Sequence, residues 1–421
     1  MPKPVKLFNR NFVLLYQGGV VSALGDQANL LAVMLWAEES TKSAAVVGTI
    51  AFAGGVTSLL NPLGGVLADR YPRAKLLALF DAISGMSVLT LAFLFWRFST
   101  EHRLLIPAVI TIAVVRGICS ALFYPVEAAL MPDLVPKESL SRANSLVETS
   151  FRVTALFGNG LSGILFRLLG APLLLLFDGI TFLVSAGSEL FIEEPERETK
   201  PPTERSGIWS ELREGFRYTG RVRGFRIYLF EASCANFCLA ALTVSLPFYV
   251  RDVLRVSTDW YGYILGSMGF GAVVGGVIAG RFRTPGIRRG TLQLACLVYF
   301  SGALAPLAFV RSPYVALFIL ATAWVGVGFH QVILATLVQS RTPQQLRGRV
   351  FGLMAMLRNG LSPLGYACFG VLLDALGRDV TGVLFWSGVA GVVILGISST
   401  FADYRWFFCG DEHEVPIAGD R

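Results

Sequence analysis

The sequence predicts an all-α membrane protein, twelve transmembrane helices in two pseudo-symmetric six-helix bundles. Three observations carry this expectation. The 421 residues are 54% hydrophobic and only 15% charged, whereas soluble domains average about 25% charged and need that polar surface to cover an apolar fold. The apolar residues come in continuous runs of roughly 20, the helical length that crosses a hydrocarbon core of about 30 Å. A short glycine-rich motif in the first half also returns in the second. Strands are a poor alternative, because barrel strands alternate apolar and polar residues over about 10 positions.

In chain order the first six runs lie near 12–37, 44–68, 76–97, 104–130, 145–169 and 172–192. The second six lie near 225–250, 258–280, 291–311, 313–338, 350–376 and 381–402. The expected organisation is an N-terminal bundle over 1–192, a linker over 193–224 and a C-terminal bundle over 225–421. The linker opens with the charged, Pro-containing stretch EEPERETKPPTERSG, which cannot cross a bilayer. It continues with Ile208, Leu212, Phe216 and Thr219 on one helical face, the pattern of a short amphipathic helix lying on the membrane surface; a plainly solvated linker is the alternative. With the N-terminus inside, Lys and Arg outnumber their external counterparts three to one in the cytoplasmic segments. That asymmetry places both termini in the cytoplasm of a cell (inner) membrane.

The net charge of +7 does not imply nucleic acid, because the basic residues sit in short loops and form no stripe interleaved with aromatics. Five of the six cysteines (Cys119, Cys234, Cys238, Cys296 and Cys368) fall in apolar runs, so neither a disulfide framework nor a metal site is expected. The basic start at Lys3, Lys6 and Arg10 leads into a long apolar run with no small-residue cleavage site, so no cleaved signal is expected. No phosphate-binding loop, paired-histidine metal motif or nucleophile elbow is present in the sequence. Neither an enzyme nor a cofactor is expected, and a transport-inactive sensor or scaffold on the same fold is a further alternative.

The repeat is specific. Gly64–Arg70 (GGVLADR) recurs as Gly275–Arg281 (GGVIAGR), each at the end of the second run of its half. At one common spacing, Pro136, Gly158, Gly163 and Gly170 match Pro343, Gly365, Gly370 and Gly377. An ordered set of this kind implies duplication, and parallel six-helix repeats are a transporter architecture. The stretch Gly64–Lys75 (GGVLADRYPRAK) resembles the loop signature between spans two and three of the major facilitator superfamily, with Pro72 in place of a glycine. Arg116–Gly117 is similar to that family's span-four motif without its glutamine. LMPDLVPKESLSRANSL and RTPQQLRGRVFGL resemble the branch containing macrolide-efflux proteins and enterobactin exporters. One departure is in span five, where exporters often carry a proline and this chain reads Gly158–Asn159–Gly160. The resemblance implies alternating access by a monomeric secondary transporter, with a small-molecule or lipid substrate, membrane lipids and protons as partners.

Ionisable residues inside spans are expensive and mark pathways or partners. Ser22, Asp26 and Asn29 form one polar stripe on span one, with Asp26 about 21 Å along the helix. Arg116 lies near the middle of span four, so Asp26 and Arg116 are the candidates for proton coupling, a fixed ion pair being the alternative. Glu148, Arg152, Asn159 and Ser162 line span five, and Arg358, Asn359 and Ser362 line span eleven. Ser22, Asn29, Arg152, Asn159, Glu231 and Arg358 are therefore candidates for a substrate cavity, Arg152 and Arg358 suiting an anionic group; snorkelling to the inner headgroups, or pairing with Glu148, is the alternative. His330 is expected to be structural. Asp81 and Asp178 are expected at helix ends, and the glycines from Gly266 to Gly280 at a packing surface. These features point to proton-coupled efflux of a small amphiphile, with a lysophospholipid or other lipid translocator as the alternative.

The resemblance also implies a conformational latch at Asp69, Arg70 and Arg73, with Asp69 capping the start of span eleven only when the cytoplasmic side is closed. The second repeat has Gly280 in place of Asp69, so the latch is one-sided. A charge at a helix terminus contributes about 0.3–1 kcal/mol, up to about 2 when partly buried, which is roughly a 2- to 30-fold change in a two-state ratio. Asp69→Asn is expected to shift the resting population toward the inward-open state by that factor. Spin-label distances between the cytoplasmic ends of spans two and eleven check it, and unchanged distances would reduce the loop to a solvated turn.

Overall fold

The computed structural model describes residues 7–99, 101–136, 139–194, 217, 219–220, 222, 224–281, 286–342 and 347–409. Most of the amphipathic segment expected over 208–219 lies outside the described residues. The chain divides into two compact units, Met1–Arg205 and Ser206–Arg421, and each is described by itself.

In the first unit, span one is Arg10–Thr41, started by Asn9, whose Oδ1 accepts the Phe12 N–H at 3.0 Å. Span two is composite: Ala44–Val56, a 3₁₀ turn at Thr57–Leu60, then Asn61–Arg70. Spans three and four are Arg73–Arg97 and His102–Leu134. Spans five and six share the helical run Leu140–Leu190, broken at Gly170. In the second unit, span seven is Phe225–Phe248, continued by a π turn at Tyr249–Val253, and span eight is Asp259–Arg281. Span nine is Gly286–Gly302 with Leu304–Leu307, and span ten is Pro313–Arg341. Span eleven is Arg347–Asn359 with Ser362–Ala375, span twelve is Val380–Thr400, and a short helix, Ala402–Cys409, follows.

Among the described residues, nine helices are long and apolar enough to cross a membrane. The remaining three expected spans are the polar first part of the Leu140–Leu190 run and the two broken helices, spans nine and eleven. The three internal breaks have one cause. Proline lacks an N–H, and its ring clashes with the carbonyl four residues earlier. Pro62, Pro306 and Pro363 each follow such a break by a few residues, and their clashing carbonyls belong to Ser58, Gly302 and Asn359. The continuous apolar runs concealed these breaks, although the prolines were in view.

The duplication reappears as repeated packing. A Cβ on Gly64 would lie 2.6 Å from the Leu122 carbonyl oxygen of span four, and one on Gly275 would lie 1.9 Å from the Val325 carbonyl oxygen of span ten. Each motif's first glycine thus lets the second span of its half touch the fourth. A Cβ on Gly158 would lie 2.8 Å from Gln27 of span one, and one on Gly365 would lie 2.7 Å from Ala240 and 2.8 Å from the Phe237 carbonyl of span seven. Gly170 and Gly377 both turn the chain with positive φ, 72° and 63°, a conformation that favours glycine.

The starts of spans one and three and the ends of spans four and six share one face of the first unit. Asn9 Nδ2 donates to the Leu134 carbonyl at 2.7 Å, Arg10 pairs with Glu193 at 3.2 Å, and Arg73 pairs with Asp133 at 2.8 Å. Beneath that face Phe12, Leu15, Leu77, Phe80, Val126 and Leu130 are buried together. Elsewhere Leu30, Met86, Phe93, Phe177, Phe318 and Val393 are exposed, a pattern suited to hydrocarbon rather than water.

Gly275→Ala is expected to lower unfolding stability by about 1–3 kcal/mol, because an added methyl must displace backbone. Gly280→Ala has open space around its Cβ and is the control. Thermal unfolding in detergent checks the pair, and equal midpoints would contradict the close approach of spans eight and ten.

Candidate functional site

The polar stripe of span one divides its work. Ser22 is buried but turns its hydroxyl to the Gly19 carbonyl of its own helix at 3.2 Å. Asp26 forms an ion pair with Arg116 of span four through Oδ1 and Nη2. Asn29 donates to Asp178 Oδ2 of span six at 2.5 Å, and that same oxygen lies 4.0 Å from Arg116 Nη2. One guanidinium therefore serves two carboxylates. The Arg116 guanidinium also rests over the Phe182 ring at 5.2 Å from its centre, a cation–π contact.

Asp178 overturns the expectation of a carboxylate at a helix end. It lies well inside span six with no exposed surface. Asp81 is likewise eight residues into span three and buried. Burial is tolerated where partners exist, and for Asp178 glycine makes room for them. A Cβ on Gly25 would lie 2.4 Å from Asp178 Oδ1 and 2.5 Å from Thr181 Oγ1, and one on Gly18 would lie 2.7 Å from Ser185 Oγ. Gly18 and Gly25 thus form a groove on span one that receives the polar side of span six. Gly117, beside Arg116, does the same for span two: its Cβ would meet Thr57 Oγ1 and the Gly54 carbonyl.

The members differ in access. The Asp26 side chain is 36% exposed, that of Arg116 21% and that of Asp178 0%. Asp26 is the open carboxylate and Asp178 the sealed one. Removing one partner of a buried ion pair costs about 3–5 kcal/mol, because the other charge is left unpaired. Here the loss of either carboxylate still leaves Arg116 one counter-ion. The group can therefore lose a negative charge and remain paired.

In the second unit, Glu231 of span seven is buried and accepts the Tyr404 hydroxyl at Oε2, 3.4 Å away. Tyr228, one turn earlier, lies in the field of both Arg358 and Glu231. Its ring stacks on Phe225 and Phe407, with centres 6.1 and 5.6 Å apart. His330 Nδ1 is 2.9 Å from Gln293 Nε2. Ser233 donates to the Leu357 carbonyl, tying span seven to span eleven next to Arg358. Glu231 and Arg358, predicted separately, are thus brought around one aromatic cluster. Arg358 is partly buried, and its Nε has no partner among the described residues.

The side chains of Glu148, Arg152, Asn159, Ser162 and Asp69 lie outside the described residues, although their backbones are helical. Arg70 is exposed. Arg73 braces its loop within the first unit: Nε donates to the Ala68 carbonyl at 3.0 Å and Nη1 to the Ala129 carbonyl and Asp133. Sequence reasoning missed Asp178 as a second carboxylate on Arg116, Tyr404 as the hydrogen-bond partner of Glu231, and Tyr228 beside them. A signal existed in the first case, since Asp178 and Ser185 are seven residues apart and share a helical face.

A family model described as Major Facilitator Superfamily matches residues 17–366. The multidrug efflux pump Tap of Mycobacterium tuberculosis (strain ATCC 25618 / H37Rv) is 25% identical over 394 residues, covering 88% of each chain. Macrolide efflux protein A of Streptococcus pyogenes is 21% identical over 397 residues, covering 92% of this chain and 94% of its own. An uncharacterised MFS-type transporter, YfiS of Bacillus subtilis, is 24% identical over 396 residues, with 90% of each chain covered. Among solved structures, a bacterial homologue of the human lysosomal transporter Spinster superposes with a TM-score of 0.70 at 16% identity, covering 97% of this chain and 98% of its own. The nucleoside transporter NupG gives 0.68 at 13%, covering 93% and 99%. These likenesses carry the fold, and the family match spans both units. The chain belongs to the Major Facilitator Superfamily and is an integral membrane transporter of small molecules, not an enzyme.

Proposed function

We propose that this transporter exports a small amphiphilic molecule in exchange for protons, by alternating access, from a cell membrane in which both termini are cytoplasmic. The observation that carries the proposal is the sharing of Arg116 between Asp26 and Asp178. A carboxylate beside a guanidinium is favoured as the anion, and a second carboxylate on the same cation makes one of the two available to a proton. Asp26, being the exposed member, exchanges that proton with the transport pathway. The names of the efflux relatives support export, and the three-to-one excess of Lys and Arg on one side supports the orientation. Ser22, Asn29, Arg152, Asn159, Glu231 and Arg358 are proposed to face the substrate, and Asp69, Arg70 and Arg73 to form the latch.

A second reading is favoured by one feature. Among the described residues the Nε of Arg358 has no hydrogen-bond partner, and a guanidinium donor of this kind suits a phosphate or carboxylate headgroup. On that reading the cargo is an anionic lysophospholipid moved without protons.

Proteoliposomes with an imposed pH gradient separate the two, using erythromycin and a lysophosphatidylglycerol as probes. Gradient-driven erythromycin accumulation is expected in the native protein and lost in Asp26→Asn, which is expected to retain downhill exchange. Undiminished coupled transport by Asp26→Asn would remove Asp26 as the proton carrier. Gradient-independent movement of the lipid alone would favour the second reading.

A further inference from the structure

A second group of acids lies in the first unit, between the Arg116 cluster and the face that carries the starts of spans one and three. Asp81 of span three is eight residues from its helix start, about 12 Å in, and Glu127 of span four is seven residues from its helix end, about 10 Å in. Glu189 lies in the last turn of span six, on the same helix as Asp178. Asp81 interacts electrostatically with Asp178 and Glu127, and Glu189 with Asp81 and Glu127. The four acids thus descend from the middle of the unit to its edge on span three and the two helices packed against it, spans four and six.

None of the three outer acids has a cation in contact among the described residues. Glu189 is fully buried, and among the described residues neither of its carboxyl oxygens has a hydrogen-bond partner. Asp81 is 4% exposed with Oδ2 unpartnered, and Asp178 keeps Oδ1 unpartnered. Buried carboxyl groups without partners are costly unless a proton or a water supplies the missing bond. The neighbours are polar but mostly uncharged. Ser185 of span six lies against Asp81. Span four adds Cys119 and Tyr124, both within the field of Asp81 and Arg116. Span one adds Gly18 and Gly25 along the groove, with Asp26 and Asn29 at its deep end. On the face that carries the starts of spans one and three, Arg10 and Arg73 are engaged with Glu193 and Asp133.

We propose that Glu189, Glu127 and Asp81 form a proton path through the interior of the first unit, linking the face that carries the starts of spans one and three, cytoplasmic in the orientation proposed above, to Asp178 and so to the Asp26–Arg116 pair. The inference rests on the proton-coupled reading above and deepens it, since it separates the route of the proton from that of the cargo. Each step moves one proton from a carboxylic acid to the next carboxylate, directly or through one water. In the exchange direction the proton passes outward from Asp178 along the acids and leaves at the face that carries the starts of spans one and three; each donor becomes the anion and each acceptor the acid, so no other bond changes.

Time-resolved infrared spectroscopy of the full-length protein in nanodiscs after a pH jump tests the path without any substrate. The carboxyl C=O bands of Asp26 and Asp178 are assigned from Asp26→Asn and Asp178→Asn difference spectra. Glu189→Gln and Asp81→Asn are each expected to slow the appearance of the Asp178 band by at least about tenfold, as loss of a positioned proton relay does, while leaving its final amplitude unchanged; the Asp26 band, open to the transport pathway, is the internal reference. Glu189→Asp is expected to restore much of the rate, and Glu193→Gln, on the exposed surface, to leave it unchanged. If Glu189→Gln does not fold, Asp81→Asn and Glu127→Gln carry the test. Native rates in the folded variants would overturn the path while leaving proton coupling intact. Absence of any pH-dependent Asp26 or Asp178 band in the native protein would overturn both.

Discussion

Arg116 is a cation in the middle of span four, the most apolar candidate span of the first unit, and the surrounding structure serves to keep it paired. Asp26 reaches it from span one and Asp178 approaches it from span six, with Asn29 holding the second carboxylate in place. Without these partners a guanidinium in hydrocarbon would cost several kcal/mol even on the mildest scale. The pairing in turn demands that spans one, four and six lie close together, which explains glycine at positions 18, 25 and 117. Each admits a neighbouring helix that a methyl group would hold away. Small residues at such crossings are the usual means of helix association where lipid removes the hydrophobic drive.

The second unit uses the same glycine devices around a different polar centre. Gly275, Gly365 and Gly377 repeat the roles of Gly64, Gly158 and Gly170. The second unit has no counterpart to the Asp26–Arg116–Asp178 group among its described residues. It carries instead Glu231 under Tyr404 and an arginine with a donor free. Duplication preserved the packing positions while the polar interiors diverged.

Much of the fold was legible because the membrane imposes a length and a composition on each helix. The glycine repeat was legible for a related reason, since backbone contact and positive φ tolerate little else. What escaped notice has physical causes. The breaks in spans two, nine and eleven follow from single prolines inside runs that remain apolar throughout, so hydropathy does not register them. The Asp26–Arg116 pair could be anticipated from matching depths on two helices. Asp178 and Asp81 could not be placed with confidence by depth, because their burial depends on which glycines of neighbouring helices oppose them. Tyr228 and Tyr404 escaped because tyrosine is unremarkable at a membrane boundary, and only the return of Ala402–Cys409 against span seven gives them a role.

The central claim is that Arg116 and Asp26 are energetically coupled through their ion pair rather than merely neighbours in depth. A double-mutant cycle on unfolding, with Asp26→Asn, Arg116→Gln and the two combined, tests it most directly. The pairing predicts a double mutant less destabilised than the sum of the single mutants, with an interaction of about 0.5–3 kcal/mol, the range of residues in contact. Additive losses would contradict it, leaving Asp26 and Arg116 as two independent polar residues on adjacent helices.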